Sequence, residues 1–392
     1  MTRTALIIGG GPAGLMAADI LSAAGCAVTV AEAKPSVGRK FLMAGKSGLN
    51  LTKDEPTDTF ASRYFEANPH LAPMLCAFGP VQVRDWATAL GQEVFTGSTG
   101  RVFPRAMKAS PLLRAWLAQL VTAGVTIHTK WRWTGWDGPA CTFDTPTGMT
   151  RLIPDITVLA MGGASWARLG SDGHWAHILA ANGIPTALFR PSNAALSVPW
   201  SAPMARQFGQ PVKQVRLTTG KDTVMGECVI TAKGLEGGAI YALSRPLRDG
   251  AALMMDLMPD WTAQRIATRL SRPRGKTSLS NHLRKSLNLP PAKLALLQEF
   301  ARPFPADPPD LTPLIKALPI THTGPRPLDE AISTAGGLPW SALTPELMLK
   351  SRAGTYACGE MLDWEAPTGG YLITACLATA RHAAQSALAS SG

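Results

Sequence analysis

Four consecutive apolar residues, Ala5-Leu6-Ile7-Ile8, run into Gly9-Gly10-Gly11-Pro12-Ala13-Gly14, and an apolar stretch of helical character follows from Leu15 to Ala24. A short apolar run bounded by glycines predicts a strand buried on both faces, and the spacing after it predicts a helix. A second run, Ala27-Val28-Thr29-Val30-Ala31, ends at Glu32. Residues 60–125 read as mainly helical, most clearly from Val81 to Leu90 and from Pro111 to Ala123, with Ser110-Pro111 suited to an N-cap and first helical position. Residues 125–160 read as strands: Val125 to His128, a stretch holding Trp131, Trp133 and Trp136, Cys141 to Phe143, and Asp155 to Ala160. Trp131 and Trp133 are two apart and predict one packed strand face.

The last of these strands enters Met161-Gly162-Gly163-Ala164-Ser165. Residues 190–255 alternate short strands and turns, and 260–302 are helical, broken at Arg272-Pro273-Arg274-Gly275 and Pro290-Pro291. Five prolines between Ala301 and Pro313 mark a connector. A strand at Gly354 to Cys358 then meets Gly359-Glu360, and a helix from about Gly370 to Leu388 closes the chain. The N-terminal half lacks enough material after Gly163 to finish a sheet and cover it. The C-terminal strand, glycine pair and helix are predicted to return and complete it, leaving the middle as a separate module.

The glycine turn carries chemistry because of what surrounds it. Gly9 permits the tight turn, Gly11 lets a pyrophosphate approach the backbone, and Gly14 lets the helix pack close to the strand. The helix start offers free N–H groups to phosphates, and Glu32 stands where a carboxylate accepts from a ribose diol. This predicts a dinucleotide site. Glu360 after a strand, and Pro367-Thr368-Gly369-Gly370-Tyr371 at a helix start, add places for a ribityl chain and for the electron-rich edge of a flavin, which narrows the dinucleotide to FAD. No second G-x-G-x-x-G stands between a strand and a helix, so a nicotinamide donor, NAD(P)H, would dock transiently over the flavin.

With 46% hydrophobic and 17% charged residues in 392, the chain has the composition of a globular protein. No apolar run reaches the ~18–20 residues of a membrane span. Six scattered cysteines and seven histidines make no ligand pattern, which predicts reduced thiols, no metal, no membrane and a cytoplasmic location. The net charge of +11 is unevenly spread: no acidic residue lies between Asp260 and Glu299, while Arg265, Arg269, Arg272, Arg274, Lys276, Arg284, Lys285 and Lys293 do. A basic run of this kind reads either as the solvated surface of a basic protein or as a contact for a polyanion, for which RNA is the candidate through residues 261–298.

The block from Gly9 to Gly14, Gly38-Arg39-Lys40-Phe41-Leu42-Met43-Ala44-Gly45, Leu159 to Gly173, and Gly359 to Tyr371 together resemble the BaiN/RdsA-type FAD-dependent oxidoreductases, a group also labelled aminoacetone-oxidase-like. The resemblance covers almost the full chain and is weakest over 260–312. It implies an α/β fold: an FAD-binding Rossmann-like domain of the two-dinucleotide-binding type, interrupted by a β-barrel-like domain and a small helical subdomain. The FAD domain would comprise 1–190 and 336–392, the β-rich domain 191–258 with 312–335, and the basic helical subdomain 259–311. Carried over, Gly9, Gly11 and Gly14 hold the pyrophosphate, Glu32 the adenosine ribose, and Arg39 and Lys40 the phosphates or flavin. Gly162 lines the adenine-side crossover strand, Gly359 and Glu360 meet the ribityl chain, and Thr368, Gly369 and Gly370 meet the isoalloxazine.

One departure stands out. Many relatives carry Gly-Gly-Gly-Arg-Cys-Asn where this chain has Gly45-Lys46-Ser47-Gly48-Leu49-Asn50, so the family's Arg and Cys positions are Gly48 and Leu49. No role of that thiol transfers. Lys46, Asn50, His174 and His322 remain as candidates to orient a carbonyl or move a proton. The implied activity is hydride transfer at flavin N5 to a polarised C=C bond, with uridine in ribosomal RNA as the leading substrate. A small-molecule reductase or amine oxidase, and a flavin-binding assembly factor without turnover, are the alternatives.

Overall fold

The computed structural model describes residues 2–45 and 48–390. The strand Thr4–Ile8 buries Ala5 through Ile8 because parallel strands flank it on both edges and helices cover its faces. Ile7 stands opposite Val30 of Ala27–Glu32 on one side and Val158 of Ile156–Leu159 on the other. Thr126–Thr129 extends the sheet beyond Ala27–Glu32, and Thr355–Ala357 extends it beyond Ile156–Leu159, giving five parallel strands. The C-terminal strand thus completes the N-terminal sheet, with Tyr356 opposite Val158.

The helix Pro12–Ala23 and the closing helix Tyr371–Ala389 pack on one another over this sheet. Small residues make that approach close. Ala13, Ala17 and Ala18 on one helix, and Ala375, Ala378, Ala380, Ala383 and Ala384 on the other, are buried. A three-stranded antiparallel sheet, Thr52–Lys53, Arg101–Pro104 and Val94–Thr96 in that order, sits among the helices of residues 57–122. These strands interrupt a stretch that reads as helical. They are two to four residues long, too short for a period-two pattern, and exist through their pairing. The helix Ala109–Thr122 starts after an extended Lys108, so Ser110 and Pro111 lie inside its first turn, where the missing proline N–H breaks no helical bond.

Two compact units result. The first comprises the chain up to Arg190 and from Ser333 on, and the second runs from Pro191 to Ile332. The second is built on a six-stranded antiparallel sheet ordered Leu196–Ser197, Gly234–Glu236, Asp222–Thr231, Pro211–Thr219, Leu253–Asp256 and Leu318–Ile320. Three helices, Ala263–Leu270, Leu279–Leu287 and Pro291–Phe300, add Ile266, Leu283 and Leu296 to its core. Thr262 and Ser278 cap the first two, each accepting an N–H from three residues on. No helix among the described residues is long and apolar enough to cross a membrane.

Candidate active site

The glycine turn ends the first strand at a cleft of about 140 Å³ in the first unit. Gly9 has φ +111°, and a Cβ there would stand 2.4 Å from the Ala160 carbonyl oxygen. A Cβ on Gly14 would stand 1.9 Å from the Gly9 carbonyl oxygen, so the helix meets the strand end only because residue 14 is glycine. Gly11 differs: a Cβ on it meets nothing within 4 Å. It lines the cleft at the start of the helix Pro12–Ala23, where backbone N–H groups have no helical partner.

Glu32 closes one wall. Its Oε2 accepts from Gly10 N–H at 2.8 Å and its Oε1 from Lys34 N–H at 2.7 Å. Burial raises its pKa, and the Lys34 and Gly10 N–H donors oppose that rise. On another wall, Lys40 Nζ donates to Glu360 Oε2 at 2.8 Å and to Ser165 Oγ at 2.7 Å, while Thr334 N–H donates to Glu360 Oε1 at 3.2 Å. The Gly-Arg-Lys loop is thereby tied to the strand end from the other terminus of the chain. Gly359, just before Glu360, has φ +79°, and its Cβ would lie 2.6 Å from that of Ala13, so the returning segment rests on the start of the glycine-loop helix. Gly162 lies beside the same group, its Cβ position 3.3 Å from Ser171 Oγ and 3.9 Å from Glu360 Oε2.

Three polar atoms of residues lining this cleft are buried without a partner among the described residues: Arg39 Nε, Trp133 Nε1 and Ser171 Oγ. Open space at Gly11, free N–H groups at a helix start and an unmatched guanidinium N–H are the donor set of a pyrophosphate site. The residues present fit FAD.

Thr368, Gly369 and Gly370 are brought against a different neighbour. A Cβ on Gly370 would stand 2.4 to 2.6 Å from the Thr52 backbone, and one on Gly369 3.9 Å from Arg101 Nε. Asn50 lies in the same region, donating from Nδ2 to Thr52 O at 2.8 Å and to Val102 O at 3.2 Å. Its amide hydrogens are therefore spent, and Asn50 offers a ligand only an acceptor. Lys46 lies outside the described residues. His174 lines the cleft with Arg132 and Asp172: its N–H donates to Asp172 Oδ1 at 3.1 Å, and Arg132 pairs with Asp172 at 3.2 Å. His322 belongs to the second unit, where its Nδ1 accepts from Gly324 N–H at 3.1 Å and burial lowers its pKa.

Sequence reasoning missed a half-buried network at the start of the closing helix. Tyr371 Oη donates to Glu55 Oε1 at 2.5 Å and accepts from Lys53 Nζ at 3.2 Å, and Lys53 pairs with Glu55 at 2.9 Å. Burial, then the Glu55 carboxylate, push the phenol's pKa up, so it holds its proton. Its place directly after Gly369-Gly370 was the available signal. Trp131, expected in a packed face, stacks on His128 at 4.2 Å and also lines the cleft.

In the second unit, Arg265 and Arg269 sit over the Trp261 ring, at 3.8 and 5.9 Å from its centroid. Neither they nor Arg272, Arg274, Lys276, Arg284 and Lys285 make an ion pair among the described residues. Lys293 does not belong with them. It is buried, and its Nζ donates to Gln214 O at 2.9 Å and Leu257 O at 2.6 Å, so it is withdrawn from any phosphate.

A family model described as "HI0933-like protein Rossmann domain" matches residues 3–386. The chain is 28% identical over 398 residues to the 3-dehydro-bile acid delta(4,6)-reductase of Clostridium scindens, covering 95% of this chain and 96% of that one. It is 24% identical over 398 residues to the ribosomal RNA dihydrouridine synthase of Haemophilus influenzae, covering 93% and 94%. Its fold is similar to that of 3-ketosteroid delta1-dehydrogenase from Sterolibacterium denitrificans, with a TM-score of 0.56 at 12% identity over 99% of this chain and 100% of that one.

Proposed function

The chain belongs to the HI0933-like family of FAD-dependent oxidoreductases, and from that premise we propose that it reduces a carbon–carbon double bond conjugated with a carbonyl, with uridine in ribosomal RNA as substrate. The two curated relatives are named for a reductase and for a dihydrouridine synthase, and dihydrouridine is uridine with its ring C=C bond reduced. The observation that carries the RNA reading is the segment 261–298, free of carboxylates and holding seven basic side chains without an ion pair. Unneutralised cations of this density gain counterion-release free energy from a phosphate backbone and nothing comparable from a small neutral molecule.

FAD, when bound, supplies the hydride. Arg39 and the N–H groups at Gly11 would hold its pyrophosphate, Glu32 its adenosine ribose, and Glu360, fixed by Lys40, its ribityl hydroxyls. Thr368, Gly369 and Gly370 would present the positive end of the closing helix to the pyrimidine edge of the isoalloxazine. At that corner Tyr371 Oη holds a proton between Lys53 and Glu55, and Asn50 Oδ1 is left to accept from an N–H donor.

Deleting the gene should remove dihydrouridine from a specific ribosomal RNA, read by comparing RNA nucleosides of deletion and parent strains. Identical nucleoside profiles would sink the RNA reading. One observation favours a small flat substrate instead. Leu49, at the family's Cys position, is fully buried, and Met107 Cε lies 2.8 Å from where a Gly48 Cβ would stand, so the loop is apolar where many relatives carry Arg and Cys. On that second reading, replacing Arg272, Arg274 and Lys276 by Glu leaves turnover of a small enone intact.

A further inference from the structure

The small antiparallel sheet of the first unit has one face in the core and one outside. Val102 and Pro104 are buried on the inner face. Alternation puts Arg101 and Phe103 on the other. The pairing sets Lys53 opposite Arg101 and Phe95 opposite Phe103, whose rings stand 5.8 Å apart. Phe95 is 38% exposed, and Met107, three residues beyond the end of Arg101–Pro104, is 36% exposed. The thioether end of Met107 and the edge of Phe103 flank the Gly48 Cβ position at 2.8 and 3.8 Å, so this face continues into the Gly48–Asn50 loop. At its opposite corner Arg101 Nε lies 3.9 Å from the Gly369 Cβ position. Lys53 is neutralised by Glu55, whereas Arg101 has no ion pair among the described residues.

A half-buried ring, Phe103, and an exposed one, Phe95, beside an unpaired guanidinium offer a base a stacking surface and a phosphate a contact. We propose that the outer face of this sheet receives one pyrimidine base and its adjoining phosphate from a single-stranded RNA segment, the base on Phe95 and Phe103 and the phosphate on Arg101. Charge complementarity selects this occupant, since a neutral carbocyclic enone uses the rings and leaves the cation unmatched. The inference rests on the RNA reading and adds where the reacting base is held.

The test uses the FAD-loaded full chain with a fluorescent oligouridylate, a matched abasic strand and cyclohexenone as probes. Phe95→Ser should weaken oligouridylate binding about tenfold without changing its salt dependence, and leave the abasic strand unaffected. Arg101→Gln should lower the slope of log affinity against log salt by about 0.7 for both strands. Both side chains are exposed, and an unchanged flavin spectrum and melting temperature certify the fold of each variant. Oligouridylate binding that is indifferent to Phe95 and Arg101 overturns the platform while leaving the RNA reading in place. No oligouridylate binding to the parent protein overturns both. Cyclohexenone binding that depends on Phe95, without oligouridylate binding, assigns the face to a small ring and contradicts the proposal.

Discussion

Gly11 and Gly14 stand three residues apart and do different work. A methyl group on Gly14 collides with the Gly9 carbonyl, so Gly14→Ala should cost ~1–3 kcal/mol of stability through overpacking, seen in a melt of the flavin-free protein. A methyl group on Gly11 projects into open space, so Gly11→Ala should leave that melt unchanged. Its FAD affinity should fall at least about tenfold, because on the proposed binding mode that space is where the backbone meets the pyrophosphate. Flavin retention measured beside the melts separates the two. His322 makes a second prediction at this scale. Its folded pKa lies below the ordinary 6.5 because burial disfavours the cation, and Nδ1 already accepts from Gly324 N–H. Below 6.5 the unfolded chain binds more protons than the folded one, so stability is lost as pH falls through that window. Melting temperature against pH should therefore drop on the acid side, and His322→Gln should flatten the drop.

At the scale of elements, the features readable from sequence are those set by near neighbours. The glycine turn, its flanking strands and the closing helix depend on residues within one or two turns of chain, and their order alone predicts a sheet completed from the far terminus. The ion pair between Lys40 and Glu360 is not legible, because its partners come from opposite ends of the chain and each, read alone, is assigned to the cofactor rather than to the other. Val94–Thr96 and Arg101–Pro104 are hidden for the related reason that pairing, not pattern, makes them strands. Lys293 shows the same limit in the helical segment. In the sequence it counts as a surface charge, yet it fastens Pro291–Phe300 to two carbonyls, one of them at Gln214, whose φ of +50° lies in an irregular stretch of strand. Lys293→Met should destabilise the protein by ~1–3 kcal/mol, the cost of leaving the buried Leu257 carbonyl without this donor, and leave RNA affinity unchanged. Chemical denaturation and strand binding on the same variant check both halves.

At the scale of the whole molecule, the proposed function calls on two features: an FAD site assembled from both ends of the chain and a basic surface in the inserted unit. The surface makes a quantitative prediction. Replacing Arg272, Arg274 and Lys276 by Gln should lower the slope of log affinity against log salt for single-stranded RNA by roughly 2, at ~0.7 for each phosphate no longer neutralised. Melting temperature should not move, since none of the three makes an ion pair among the described residues. The joint action of the two features is tested most directly by mixing the reduced, FAD-loaded protein under argon with ribosomal RNA from a strain lacking the gene. Flavin absorbance should return as dihydrouridine appears in the RNA, one residue for each flavin oxidised. A flavin that stays reduced in the presence of that RNA, and reoxidises only when a small enone or oxygen is admitted, would contradict the account.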